Sequence, residues 1–131
     1  MNKSEHISFW IEQAEHDLEI AETLFTARKF DVSLFFGHLA LEKLLKAAWV
    51  RDNVQDVPPK THNLIFLIER TRLTSNDEII KLLRKVNEFN IEARYPDYKF
   101  SFYKLCTEEF TTTYLNSIKD TYAWLIRELK R

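Results

Sequence analysis

Three groups of side chains in this 131-residue chain combine chemically capable types with spacings that a fold can use. His38, Glu42 and Lys46 follow at four-residue steps with Lys43 beside them, so on a helix they stack one turn apart on one face. On a wet helix edge the Glu42 to Lys46 spacing is an ordinary ion pair. On a buried helix the same stripe must be paired, face a groove or meet another chain. Thr61 and His62 form the second group, at the expected start of a short helix; simple capping and a ligand role both fit them. The third group is Asn90–Tyr98, NIEARYPDY. Arg94 falls in the last turn of a helix, where a cation is favoured in any case. An arginine between an asparagine and the rings of Tyr95 and Tyr98 is also how a phosphate or nucleobase is held.

Other chemistries are poorly supplied. The four histidines are scattered, no His-Glu-x-x-His or Cys-x-x-Cys spacing occurs, and Cys106 is alone, so no metal site is expected. The one glycine, Gly37, lies inside a helical pattern, which excludes a glycine-rich phosphate loop or dinucleotide-binding turn. No cofactor is expected. With a net charge of −1, a generally basic nucleic-acid surface is not indicated, although a local positive patch is compatible with it.

The elements that must position these residues read as helices. One glycine and three prolines supply too little turn chemistry for many strands and enough for a few long helices, so the chain is expected to be all-α. The stretch Phe35 to Val50, FFGHLALEKLLKAAWV, is apolar around most of its circumference and belongs at the centre of a bundle. Before it, Ser4 is a candidate cap for a first helix with Trp10, Ile11, Ala14, Leu18, Ala21, Leu24 and Phe25 on its inner face. Glu12, Glu15, His16, Glu19 and Glu22 are then left to solvent. A short connection over Ala27 to Phe30, with Asp31 as cap, makes the first two helices antiparallel neighbours. After them, Arg51 to Lys60 ends in Pro58 and Pro59 and reads as a loop crossing the bundle. Thr61 then suits the cap of a short helix, which puts His62 in its positively polarised first turn. Ser75 and Glu78 form a capping-box pattern for a helix that Pro96 should end, with Asn87, Asn90 and Arg94 on its polar side. From about Thr107, Leu115, Ile118, Tyr122, Leu125 and Leu129 make a narrow packing seam. One domain over residues 1–131 follows from the length, and a cytoplasmic location from the lone cysteine, the absence of an apolar leader and the lack of any membrane-spanning apolar run.

Taken in order, these segments form a recognisable set. Trp10 with AEHDLEIAETL, then FFGHLALEKLLKA, then PKTHNL after a proline-containing loop, then EARYPDY, together resemble the HEPN domain, the higher eukaryote and prokaryote nucleotide-binding domain. The resemblance covers nearly the whole chain. It implies an up-and-down antiparallel bundle of about five helices, like the substrate-binding subunit of nucleotidyltransferases. It also implies a homodimer whose two chains bring polar residues into one cleft, and a partnership with a minimal nucleotidyltransferase in pairs that look like toxin and antitoxin. In the nuclease branches an arginine and a histidine separated by four to six residues cleave RNA without metal. With Arg94 in the place of that arginine, the histidine positions are Lys99, Phe100 and Ser101, and none is histidine. With Ser101 in the histidine's place, Tyr103 falls where some relatives carry a tyrosine that the partner adenylylates.

Three functions fit these residues. The first is a nucleotide-, RNA- or partner-binding module whose dimer cleft is lined by His38, Glu42, Lys46, His62, Asn90, Arg94 and Tyr95. The second is a metal-independent ribonuclease toxin in which Arg94, the best catalytic candidate, works with His38 or His62 relocated to replace the missing histidine. The third is a purely structural dimeric bundle in which Arg94 and Glu42 pair to satisfy buried charge. The absent histidine favours the first.

Overall fold

With so little glycine and proline, intrahelical bonding is the available way to satisfy most backbone groups once the apolar stripes are buried. The computed structural model describes residues 1–131, and they form six α-helices and no strand. These are α1 (Lys3–Thr26), α2 (Phe30–Asp52), α3 (Leu64–Ile68), α4 (Asp77–Arg94), α5 (Pro96–Leu105) and α6 (Glu108–Leu129). The all-α expectation holds. The sixth helix is one more than expected: Pro96 ends α4 and, with its fixed φ, also serves as the first residue of α5.

Several caps lie elsewhere than the sequence pattern suggested. Asn2, not Ser4, caps α1, its side chain accepting from the Glu5 amide while Glu5 bonds back to the Asn2 amide. Asn76, not Ser75, caps α4. Asn63, not Thr61, caps α3, so His62 precedes that helix and lies outside its first turn. The α1–α2 turn closes as a Schellman motif, with the Lys29 amide donating to the Leu24 carbonyl at 2.8 Å and the Arg28 amide to Phe25 at 2.9 Å. Arg28 takes the left-handed position, φ 62°, that glycine usually fills. Lys29 is therefore the cap residue of α2, and Asp31 sits inside its first turn.

The helix α2 is the hub, packing against all five others. Its buried Leu34, Leu41, Leu44, Leu45 and Val50 join Ala14 and Ala21 of α1, Leu64 and Leu67 of α3, Val86 and Phe89 of α4, and Leu115, Ile118 and Leu125 of α6 in one core. Phe89 packs on Phe102 of α5 and on Phe110 and Tyr114 of α6, which fixes α5 across the end of the bundle. Asp17 of α1 is buried and binds Lys43 of α2, a cross-helix ion pair on a largely apolar contact that also holds a buried Ser33 hydroxyl donating to the Ala21 carbonyl at 2.7 Å. The crossing between α2 and α3 has almost no backbone bonding of its own beyond Thr61 to Pro59. Lys3 anchors its start, donating to the Val50 and Asn53 carbonyls at 2.7 Å each and pairing with Asp56 at 3.1 Å.

Gly37 lies where α2 meets α6, and a β-carbon there would stand 2.9 Å from Ile118 Cδ1. Glycine inside a helix is normally a weakness; here it permits the close approach. Gly37→Val should lower folding stability by about 1–3 kcal/mol, the usual range for overpacking a filled core. Urea denaturation measures it, and an unchanged midpoint would mean that α6 moves aside freely.

Candidate functional site

The polar stripe of α2 is not at a wet edge. His38, Glu42 and Lys46 are all buried, at 0%, 3% and 8% exposure, which corrects the reading of Glu42 and Lys46 as a partly exposed pair. Removing a carboxylate and an ammonium from water is expensive, so each must be met by partners. Glu42 has two: Lys46 Nζ donates to Oε2 at 3.1 Å, and His62 Nδ1 donates to Oε1 at 2.8 Å. Lys46 also lies over the Trp10 ring of α1, 5.4 Å from its centroid, where the π face favours a cation.

His38 is held in one tautomer. Its Nε2 lies 2.9 Å from the carbonyl oxygen of His62, which can only accept, so Nε2 carries the proton. Its Nδ1 is then the acceptor for Asn90 Nδ2 at 3.4 Å, and Glu42 Oε1, 3.9 Å away, is beyond bonding distance. Burial pushes the His38 imidazole down to about 4, against the weaker opposing pull of Glu42. With both nitrogens engaged and no exposed surface, His38 is a structural strut.

His62 is built differently. Its ring is half-exposed, its Nδ1 is fixed by a buried carboxylate, and its Nε2 has no protein partner. A carboxylate holding one imidazole nitrogen so that the other faces outward is the arrangement of a general acid or base. Neighbouring asparagines set this turn against α4: Asn87 accepts from the Leu64 amide at 2.9 Å and donates to Asn63 Oδ1 at 3.0 Å.

Arg94 stands apart. Its Nε donates to the Asn90 carbonyl at 3.2 Å and its guanidinium carbon lies 5.4 Å from the Tyr95 ring centroid, but no carboxylate pairs with it. The Arg94–Glu42 pair of the structural reading does not form; Glu42 is met by Lys46 and His62 instead. The pairings of His38 with Asn90 and of Asn63 with Asn87 make α4 run antiparallel to α2, so Arg94 lies about 10 Å along α4 from the His62 end, seven residues at 1.5 Å each. Beyond Arg94, Tyr95, Tyr98, Phe100 and Tyr103 are all more than half exposed; Phe100, with Lys104 Nζ 4.4 Å from its centroid, and Tyr103 share one side of α5, where Tyr103 lines a pocket with Arg28, Phe30 and Asp31. The structure therefore joins His38, Glu42, Lys46, His62 and Asn90 in one network. It leaves Arg94 and Tyr95 on a separate open face reached through Asn90. Burial pushes the Cys106 thiol up to about 12, so it is no nucleophile. No three His, Cys, Asp or Glu side chains gather closely enough to hold a metal ion.

The HEPN domain family matches residues 7–129. The chain belongs to this family. The fold is also that of the crystal structure of ST0689, an archaeal HEPN homologue. The two superpose with a TM-score of 0.72 at 22% identity, covering 94% of this chain and 97% of the homologue. No curated protein matches the chain. The network of this HEPN domain was partly legible in advance, since the four-residue spacing on α2 and the THN turn are visible as letters. The contacts of Asp17 with Lys43 and of Asn63 with Asn87 join separate elements and have no spacing along the chain to announce them. Asp17 does carry a signal, an acid in phase with Ala14 and Ala21 on the buried stripe of α1.

Two measurements check this network. Glu42→Ala leaves the Lys46 ammonium buried without a partner and should destabilise the domain by about 3–5 kcal/mol in urea, whereas Glu42→Leu with Lys46→Met should recover most of the loss. His38 is neutral in the fold down to about 4 while an unfolded histidine titrates near 6.5, so the unfolded chain binds the extra proton between those values. Stability from this group is complete above about 6.5 and falls as pH drops toward about 4, by on the order of 3 kcal/mol. His38→Gln should flatten that part of the stability profile.

Proposed function

We propose that this HEPN domain is a nucleotide- or RNA-associated module that works as a homodimer with a minimal nucleotidyltransferase, in a toxin–antitoxin-like pair. The observation that carries the reading is Arg94: an arginine without a carboxylate partner, placed between Asn90 and Tyr95 at the rim of an exposed aromatic face. A planar cation with free donors is suited to a phosphate, and open rings beside it are suited to stacking a base. A dimer is supported by the number of exposed apolar side chains on α5 and at the end of α4, namely Ile91, Tyr95, Tyr98, Phe100, Tyr103 and Leu105. Tyr103 is accessible there to a modifying partner.

A second reading, a metal-independent ribonuclease, is favoured by one observation, the free Nε2 of His62 backed by Glu42. His38 lacks an unengaged nitrogen for that role. The histidine and arginine would act across a dimer, since they lie at opposite ends of the network within one chain.

The test is titration of a labelled oligoribonucleotide and of ATP into the purified chain, with mass measured by light scattering and RNA integrity followed in chelator. Saturable binding by a dimer, weakened at least about tenfold by Arg94→Ala, is the expected result. Cleavage lost in both Arg94→Ala and His62→Ala would select the ribonuclease. No binding of either probe would discard both readings.

A further inference from the structure

A second surface lies away from Arg94, between α1 and α6. Ile11, Glu15, Leu18 and Glu22 of α1 face Tyr122, Ile126 and Lys130 of α6 across a groove of about 340 Å³. On each helix the lining residues recur at three- and four-residue steps, so two straight stripes run side by side. The Glu22–Lys119 ion pair, 3.4 Å, bridges one end, and Ile11 and Lys130 mark the other, so the helices run antiparallel here. From Ile11 to Glu22 the groove is about 16 Å long, eleven residues at 1.5 Å each, which is three helical turns. Its floor is apolar, from Ile11, Leu18, Tyr122 and Ile126. Its rim carries an acidic excess at mid-length: Glu15 and Glu19 form no ion pair, Glu22 is paired with Lys119 at one end, and the one other cation, Lys130, stands at the opposite end. Burial first, and then Glu15 and Glu19, push the Tyr122 hydroxyl above its ordinary range, which places both carboxylates close to the groove floor.

We infer that this groove docks an amphipathic helix of a partner protein, about three turns long, with an apolar stripe flanked by lysine or arginine. The sign of the rim selects the occupant. Nucleic acid is repelled by unpaired carboxylates, whereas a basic helix gains both burial and charge pairing. The length agrees, because an apolar stripe at i, i+3 or i+4, i+7 and i+11 spans the same distance as the groove. The shallow volume agrees as well, since it takes the side chains of one helix face and not a helix body. The groove shares no residue with the Arg94 face.

The test uses the full chain and two synthetic helical peptides with the same leucine stripe, one flanked by lysine and one by glutamate, titrated by fluorescence anisotropy at low and high salt. The wild-type chain should bind the lysine peptide at least tenfold more tightly than the glutamate peptide, with the preference shrinking at high salt. Glu15→Lys with Glu19→Lys, both on the exposed rim, should reverse the order while leaving the melting temperature unchanged. Equal affinity for the two peptides, no saturable binding, or an unreversed preference in the double variant would overturn the inference. So would a change of mass by light scattering in the double variant, which would assign the groove to a second copy of this chain.

Discussion

Everything around the polar core follows from one carboxylate on the most buried helix. Glu42 cannot remain charged in a bundle interior without close partners, and it cannot avoid the interior because α2 is surrounded by its neighbours. Lys46 satisfies one oxygen from the next turn, a distance that any helix provides. The other oxygen needs a donor from outside α2, and the chain supplies it by bringing His62 back across the bundle. Once His62 is there, its carbonyl is held against α2, and His38 meets it. Three side chains, Lys46, His62 and His38, are thus placed around one carboxylate.

Arg94 stands outside this arrangement. Lys46 and His62 meet Glu42 from its own helix and from the crossing, while Arg94, one turn beyond Asn90 on α4, has only the Asn90 carbonyl as a hydrogen-bond partner. What remains is a division of the surface by charge and character. One side presents an arginine among exposed rings; another presents unpaired glutamates over an apolar floor. A chain with a net charge of −1 hides this division in its average.

The helices were readable because periodicity and punctuation agree: Pro58 and Pro59 stop the central helix from running on, and the apolar positions of α6 keep a three- and four-residue rhythm. Cap residues were less readable, because asparagine competes with a neighbouring serine or threonine for the same turn and tertiary contacts decide between them. Asn63 won over Thr61 in part because Asn87 holds it. Residues 96–105 escaped notice as a helix because a proline reads as an ending, although at a first helical position it is also a beginning. The stripe His38, Glu42, Lys46 was visible as a pattern, yet its depth was not, since burial of a charged face depends on a partner twenty residues away.

The crossing between α2 and α3 carries a consequence for motion. It has almost no backbone ladder and is secured by side chains, by Lys3 where it leaves α2 and at Asp56, by the buried Pro58 in its middle, and by Glu42 and His38 where it arrives at α3. A loop fastened in this way does not fray gradually. Lifting its far end releases His62 and exposes a charged pair whose solvation the rest of the core has been arranged to replace, so the segment and the centre of α2 open as one cooperative unit. Slow amide exchange in α3, a helix too short to persist alone, is how that coupling would be seen.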